Sequence, residues 1–291
     1  MISRNALALF TKPPVPGMVK TRLTKDRGGN LTSEEAAEFY RCCLLDTADL
    51  AMLALSDLDD QNFRERADDP SAPLRIYDFF ISTTPEDSLD RMRAIFATED
   101  TWDRPISYLC DHGASFDGHF NDAFQQLFDQ GYDTVVVIGG DQPTMTREHI
   151  SEAFQWLDYF ARTHEQGYGF VQAPCQESGV SLVGRTRSTP VFAEGVFYNM
   201  TGRPAIDGYV EMLQQYKIPN ALLHSIADVD NDSDLAHTIS CVNAMAEASL
   251  YQTGLFVPLR VLEWIERMGL QASSPPNEDR DPREHIDVAV D

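Results

Sequence analysis

The chain of 291 residues carries 46 acidic and 23 basic side chains, which gives a formal net charge of −23 at pH 7. Because nucleic-acid backbones are bound by clusters of Lys and Arg, this balance disfavours a nucleic-acid-binding protein. The sequence has no apolar run of about 18 residues, so no membrane span is predicted. The N-terminus, MISRNALALF, lacks a signal-peptide cleavage site and enters the first predicted strand, so we expect a cytoplasmic protein.

Apolar, strand-like segments alternate with helix-like segments along the chain. Strands are predicted at residues 5–11, 74–82, 106–110, 133–139, 168–172, 179–183 and 221–227. Helices are predicted to begin near Thr32, Arg91, Phe116, Thr146, Ala205, Leu235 and Pro258. This alternation predicts an α/β protein with a mostly parallel sheet and right-handed crossovers.

The segments fit a single domain over residues 1–270. The first helix, with Thr32 and Glu35 as a capping box, is predicted to end near Leu55. The charge-dense residues 56–73 are predicted to form a polar surface insertion. Residues 271–291 are polar, acidic and proline-bearing, so they are predicted to be a disordered tail.

The first predicted strand ends in a loop that gathers basic side chains. Residues 7–23 read LALFTKPPVPGMVKTRL and include Lys12, Gly17, Lys20 and Arg22. Gly17 lets the backbone approach a ligand closely, while Lys20 and Arg22 offer a point charge and a bidentate fork to phosphate oxygens. The loop therefore indicates a diphosphate site, with a loop of solvated basic residues as the alternative.

A carboxylate follows the apolar strand TVVVIG at residues 134–139. Asp141 stands after Gly139 and Gly140 and before Pro143, so a rigid strand end is predicted to present it to the cleft. A hard divalent cation prefers carboxylate oxygens and often bridges phosphates, so Asp141 is a predicted ligand of Mg²⁺ or Mn²⁺. The alternative is a helix cap or turn aspartate.

The segment DVDND at residues 228–232 offers a second carboxylate after a late strand. Asp230 is the predicted second metal ligand, with Asp228 as the alternative, while Asp232 or Asp234 could cap the following helix. Ligands of parallel α/β sheets bind at the carboxyl ends of the strands. We therefore expect Asp141, Asp230 and the basic loop to share one site.

Three of these segments together resemble the signature of a bacterial enzyme family. Residues 7–23, 134–143 and 228–235 are similar to the patterns AKxPxPGxVKTRL, VxxIGSDxP and DVDTPEDL. Those patterns belong to arsenosugar-biosynthesis-type glycosyltransferases, also described as radical-SAM/selenodomain-associated transferases. The family has the glycosyltransferase-A fold, which it shares with the molybdenum-cofactor and phospholactate nucleotidyltransferases. The resemblance spans most of residues 5–240.

The resemblance implies a three-layer α/β/α sandwich, a nucleotide donor and Mg²⁺ or Mn²⁺. By matching position it assigns Lys12, Gly17, Lys20 and Arg22 to the donor phosphates and Asp141 to the nucleotide or metal. The expected function is metal-dependent transfer of a sugar from a nucleotide-diphosphate donor to a small acceptor. A nucleotidyltransferase that acts on a nucleoside triphosphate and a small phosphorylated acceptor is the alternative, and a non-catalytic nucleotide-binding protein is a third interpretation.

The predicted acceptor side departs from the family pattern. Glu177, Ser178 and Gly179 stand where the family has Asp-Gly-Gly, and residues 117–121 read DGHFN where it has LGERM. A positioned carboxylate can accept a proton from an acceptor, so Glu177 is the predicted catalytic residue. His112 and His119 flank this region, although a lone loop histidine is more often structural.

Overall fold

A computed structural model describes residues 2–98 and 102–273 of the chain. One sheet contains the strands β1 (Ile2–Phe10), β2 (Leu74–Thr83), β3 (Ile106–Cys110), β4 (Thr134–Gly139), β5 (Phe170–Pro174), β6 (Val180–Thr186) and β7 (Asn220–Leu222). The helices are α1 (Ser33–Asp68), α2 (Ser88–Phe96), α3 (Phe116–Asp129), α4 (Arg147–Thr163), α5 (Ala205–Tyr216), α6 (Asp232–Ser249) and α7 (Leu259–Met268).

The strands lie in the order β3-β2-β1-β4-β6-β5-β7. β6 is antiparallel to both of its neighbours, β4 and β5, and the other strand pairs are parallel. The prediction of a mostly parallel sheet is therefore confirmed. Because β6 runs the opposite way, its first residues lie at the same edge of the sheet as the last residues of β1 and β4.

Helices cover both faces of the sheet. Along β1, Leu7 and Leu9 belong to a core cluster with α1 and α4, whereas Ala6 and Ala8 belong to a second cluster with α3 and α5. This alternation places successive side chains on opposite faces, and both faces are buried, as expected for parallel strands. The predicted three-layer α/β/α sandwich is confirmed.

The first helix is longer than its sequence suggests. The capping box of Thr32 and Glu35 is present, but α1 continues to Asp68, so its predicted end at Leu55 is wrong. Much of the segment 56–73, predicted as a surface insertion, is therefore helix. Asn62 explains the continuation, because its buried side chain donates to the carbonyl of Pro73 at 2.9 Å and accepts the amide of Arg75 at 3.0 Å.

The late strand is shorter than predicted. β7 ends at Leu222, and the chain then follows β5 through single bonds, such as Ile226 N–H to the carbonyl of Pro174 at 2.9 Å. Apart from residues 271–273, the predicted tail lies outside the described residues. Within 2–98 and 102–273, no helix combines the length and the apolar character needed to cross a membrane.

Candidate active site

A cavity of about 550 Å³ opens at the edge of the sheet where β1 and β4 end. The start of β6, the start of α3 and the segments after β6 and β7 also line it. The side chains in this wall that can carry charge are Lys12, Lys20, Asp111, His119, Asp141, Asp228 and Asp230. The basic loop after β1 and the turn at Asp141 after β4 therefore meet at one site, as the strand order requires.

Lys20 lies between two carboxylates in this wall. Its Nζ is 2.5 Å from Oδ2 of Asp141 and 3.2 Å from Oδ1 of Asp230, and its side chain is only 6% exposed. Burial opposes the charged form of Lys20, but the two carboxylates outweigh it and raise the pKa of the ammonium. Lys20 Nζ also lies 5.8 Å from the ring centroid of Tyr40, within cation–π range.

The loop after β1 holds Lys20 by anchoring the residues on either side of it. Val19 and Leu23 are buried, and Leu23 joins a separate core cluster with α1, α6 and α7. Lys20 itself has φ 48° and ψ 36°, a left-handed conformation that a residue with a Cβ rarely adopts. Such a conformation persists where the surrounding contacts hold it, and here those contacts include the two carboxylates.

Asp141 is positioned by the glycines that precede it. A Cβ at Gly140 would collide with Leu44 of α1, and one at Gly139 would lie 2.7 Å from Nε2 of Gln142. Gly140 therefore lets the turn after β4 pack closely against α1, and Gly139 leaves room for the side chain of Gln142. Gln142 then fixes the turn, because its buried amide donates to the carbonyl of Ser181 at 2.8 Å.

Asp230 is positioned by the start of α6. Asn231 and Asp234 form a capping box there, and Oδ2 of Asp234 also accepts the backbone N–H of Asp230 at 3.0 Å. The capping role considered for Asp234 is thus present. Arg22 approaches Asp230 from the solvent side, with its Nη1 3.1 Å from Oδ2 of Asp230.

Asp228 is the third carboxylate of this wall. The Gln176 side chain clamps its backbone, donating to the Asp228 carbonyl and accepting the Asp228 N–H, each at 3.2 Å. Burial first, and then the nearby charges of Asp141 and Asp230, raise the pKa of Asp228 to about 6. Three carboxylates thus crowd one part of the cavity, and burial and mutual repulsion disfavour the charge of Asp228.

The donor set of this wall fits a hard divalent ion that a substrate helps to bind. Within 2–98 and 102–273, no group of three or more His, Cys, Asp or Glu side chains is arranged as a metal cage. Mg²⁺, however, is usually held by one or two carboxylates together with phosphate oxygens and water. Asp141 and Asp230 can supply two such oxygens, because both already contact the same cation, Lys20 Nζ.

A histidine–aspartate pair lines a second part of the cavity. Nδ1 of His119 lies 2.8 Å from Oδ1 of Asp111, and the hydroxyl of Ser82 donates to Oδ2 of Asp111 at 2.7 Å. Burial raises the pKa of Asp111, and these two hydrogen bonds partly offset that effect. With Nδ1 engaged, Nε2 is the nitrogen of His119 left to meet a ligand, and it forms no hydrogen bond among the described residues.

Aromatic rings form the rest of the wall near His119. Phe116 and Phe120 of α3 make edge contacts with Phe10 and with Phe197, which lies between β6 and α5. Tyr198 also lines the cavity and is 72% exposed. The cavity therefore has a charged part beside Lys20 and an aromatic part beside His119.

The structure brings most of the predicted site residues together, but not all of them. Lys12 lines the cavity, whereas Gly17 is an exposed turn residue with φ 77° and does not. Arg22 is 69% exposed and reaches the site through Asp230. Glu177 is exposed in the turn between β5 and β6 and is not part of the cavity wall. The catalytic role predicted for Glu177 therefore has no geometric support here.

Asp111 was missed by the sequence reasoning although a signal was present. It directly follows β3, at the edge where a parallel sheet presents its ligand-binding side chains. Asp111 lies before the turn that leads into α3, and His119 lies in the first turns of that helix. No sequence spacing predicts their hydrogen bond, because it depends on the shape of this turn. Gln176 was also missed, since its contact with Asp228 depends on how β7 continues beside β5.

Comparison with known protein families matches a part of the chain that contains some of the site residues. A family model described as an uncharacterized protein conserved in bacteria (DUF2064) matches residues 77–200, which run from β2 to the segment after β6. The matched part includes Asp111, His119 and Asp141 but neither Lys20 nor Asp230. No curated protein matches the chain.

Solved structures resemble most of the chain. A proposed nucleotide-diphospho-sugar transferase from Desulfovibrio desulfuricans is 23% identical, with a TM-score of 0.61 over 92% of this chain and 98% of its own. The chain has the nucleotide-diphospho-sugar transferase fold. A cytidylyltransferase from Leptospira borgpetersenii is 14% identical, with a TM-score of 0.46 over 95% of this chain and 100% of its own. A Mycobacterium tuberculosis protein in complex with manganese is 12% identical, with a TM-score of 0.40 over 81% of this chain and 98% of its own.

The comparisons do not name the arsenosugar-type family. The fold implied by that resemblance is confirmed, because the first of these structures and this chain share it over most of their lengths. The closer family assignment, and the residue roles taken from it, stay predictions.

Proposed function

We propose that this protein is a metal-dependent glycosyltransferase that transfers a sugar from a nucleotide-diphosphate donor to a small acceptor. The observation that supports it best is the charged part of the cavity, where Lys20 contacts Asp141 and Asp230 while Arg22 contacts Asp230. This part lies at the edge of the sheet where β1 and β4 end. In this fold class, that edge of the sheet is where ligands bind.

The charges of the wall explain why a divalent ion is needed. The cavity is lined by the carboxylates of Asp111, Asp141, Asp228 and Asp230, against the ammonium groups of Lys12 and Lys20. A diphosphate brings further negative charge, so carboxylates alone would repel it. A divalent ion held by Asp141 and Asp230 would supply the charge that neutralises the diphosphate and stabilises it as it leaves.

The basic side chains act on the same leaving group. Lys20 and Arg22 can donate charge-assisted hydrogen bonds to the diphosphate oxygens, and these bonds strengthen as negative charge develops on them. Lys12 lines the cavity without an ion pair among the described residues, so it can also turn toward a phosphate. Gly17 gives the loop its turn rather than a direct contact.

The aromatic part of the cavity suits the acceptor and its activation. His119 is a candidate general base: Nε2 takes the proton from the acceptor hydroxyl while the hydroxyl oxygen bonds to the anomeric carbon of the sugar. The bond from that carbon to the diphosphate breaks, and a nucleoside diphosphate leaves. Asp111 holds the imidazole in position and stabilises its charged form.

Product analysis tests this proposal. The protein is incubated with Mn²⁺, a panel of small hydroxylated and phosphorylated compounds as acceptors, and the UDP-, GDP-, ADP- and CDP-linked sugars, and separately with the same acceptors and the four nucleoside triphosphates. We expect one nucleotide sugar to release its nucleoside diphosphate and no triphosphate to release pyrophosphate. Pyrophosphate release would instead establish nucleotidyl transfer. Tight nucleotide binding with neither product would identify a non-catalytic binding protein.

Glu177→Gln is expected to have little effect on this reaction. Because Glu177 is exposed and lies outside the cavity wall, turnover and donor affinity should each stay within about threefold of the parent, as for most surface changes. Steady-state kinetics on the active nucleotide sugar measures both. A loss of about 10²-fold or more in turnover, the size of a lost proton transfer, would return Glu177 to the catalytic site.

A further inference from the structure

The ammonium of Lys20 occupies the place that a divalent ion held by Asp141 and Asp230 would need. Nζ lies 2.5 Å from Oδ2 of Asp141 and 3.2 Å from Oδ1 of Asp230, so one cation already bridges the two carboxylates. An ion coordinated by the same oxygens would lie beside Nζ. The two positive charges would then repel each other in a partly buried place where solvent screens them poorly.

The side chain that would have to move sits on an unusual backbone. Lys20 adopts the left-handed conformation without being a glycine, and its two carboxylate contacts help to hold it there. The residues just before Val19 are exposed: Met18 is 69% exposed, and Gly17 meets no atom within 4 Å of the place where a Cβ would stand. The loop therefore has room to adjust on its solvent side.

Lys20 also lies in the cavity that would hold the diphosphate. Once released from Asp141 and Asp230, its ammonium needs a new anionic partner, because a cation with 6% of its side chain exposed is costly to leave unpaired. Diphosphate oxygens beside the bound ion would provide that partner.

We infer that Lys20 is a displaceable internal cation. Its ammonium pairs with Asp141 and Asp230 until a divalent ion binds these carboxylates, and the ammonium then pairs with the diphosphate. This inference rests on the proposed function, since it requires those carboxylates to bind metal. It has a consequence for binding order. A divalent ion binds the free protein weakly and binds more strongly when a diphosphate is present to receive Lys20.

Mn²⁺ titration without nucleotide tests the competition directly. Lys20→Met removes the internal cation, so Mn²⁺ should bind at least about tenfold more tightly than to the parent, measured by calorimetry or by the electron paramagnetic resonance signal of free Mn²⁺. Lys25→Met is the matched control, since it makes the same change in the same loop at an exposed residue outside the cavity wall. Lys20→Arg keeps the charge and should not show the gain.

Amine labelling of the parent protein gives a second readout that needs no variant. The chain has only four lysines, Lys12, Lys20, Lys25 and Lys217. Acetic anhydride labelling followed by mass spectrometry should find Lys20 the slowest to react. Mn²⁺ alone is the decisive addition, because pyrophosphate would pair with the released ammonium and protect it again. With Mn²⁺ alone we expect labelling of Lys20 to rise severalfold while labelling of Lys25 and Lys217 stays unchanged.

The outcomes separate this inference from the proposed function. If the parent binds Mn²⁺ but Lys20→Met binds it no more tightly, the internal-cation role is overturned and the metal site stands. If neither protein binds Mn²⁺ at millimolar concentrations, the metal site itself is overturned, and the inference with it. If Lys20→Met fails to fold, the labelling decides: Lys20 that stays protected when Mn²⁺ is bound overturns the inference.

Discussion

Replacing Asp141 with asparagine is expected to abolish Mn²⁺-dependent binding of a nucleoside diphosphate. Asp141 supplies one of the two carboxylates that can hold the ion, and an amide oxygen is a much weaker ligand for a hard cation. Changes next to metal ligands already lower metal affinity by about 10–100-fold, so losing a ligand should cost at least about 100-fold. Calorimetry with Mn²⁺, alone and then with nucleotide, measures the loss.

The protein should remain folded after this change. The substitution Asp141→Asn removes one charge-assisted partner of Lys20, which should lower the free energy of unfolding by about 1.5–3 kcal/mol. Asp230 still contacts Lys20, so the ammonium is not left alone. Asp232→Asn is the matched control, because Asp232 lies at the start of α6 but outside the cavity wall. Unchanged Mn²⁺ affinity in the Asp141 variant would exclude that residue as a metal ligand.

Replacing His119 with glutamine should reduce turnover by about 10²–10⁴-fold, the contribution of a positioned acid or base. Glutamine can still form a hydrogen bond at this place, but it cannot carry the proton. Donor affinity should stay within about twofold of the parent, because the charged wall that holds the diphosphate is untouched. Steady-state kinetics on the nucleotide sugar identified by product analysis separates the two quantities.

Two further variants decide whether His119 carries the proton. His119→Gly should regain part of its turnover when imidazole is added, which a purely structural histidine would not show. His112→Gln is the control, since His112 is a neighbouring exposed histidine that contacts Asp122 and not the cavity. Turnover of the His119 variants within a few-fold of the parent would remove His119 from the mechanism.

Much of the sheet could be predicted because its strands are short apolar runs that end abruptly. The predicted spans of β1, β4 and β6 lie within a few residues of the observed ones, and the strand ends place Lys20, Asp141 and Asp230 near one another. The carboxyl ends of parallel strands lie at one edge of the sheet, so the loops that follow them come close together. The meeting of these three residues at one edge of the sheet therefore follows from local patterns, although their contacts do not.

The remaining features depend on contacts that no local pattern shows. The end of α1 was misjudged because its last turns are polar on the surface, while buried Leu58 and Asn62 dock them against the sheet. The pairing of Asp111 with His119 depends on the turn that leads into α3. Lys20 contacts both carboxylates because its backbone is left-handed, and the sequence KTR does not predict that conformation.

The measurement that tests the central claim most directly is thermal unfolding of the parent protein with UDP, GDP, ADP and CDP, each with Mn²⁺ and with a chelator. A ligand at about one hundred times its Kd stabilises the native state by about 2.7 kcal/mol, which shifts Tm by several degrees. We expect at least one diphosphate to raise Tm with Mn²⁺, a much smaller rise with the chelator, and none with the matching nucleoside. No shift with any of the four diphosphates, or an equal shift with the chelator, would contradict a metal-dependent diphosphate site at Asp141 and Asp230.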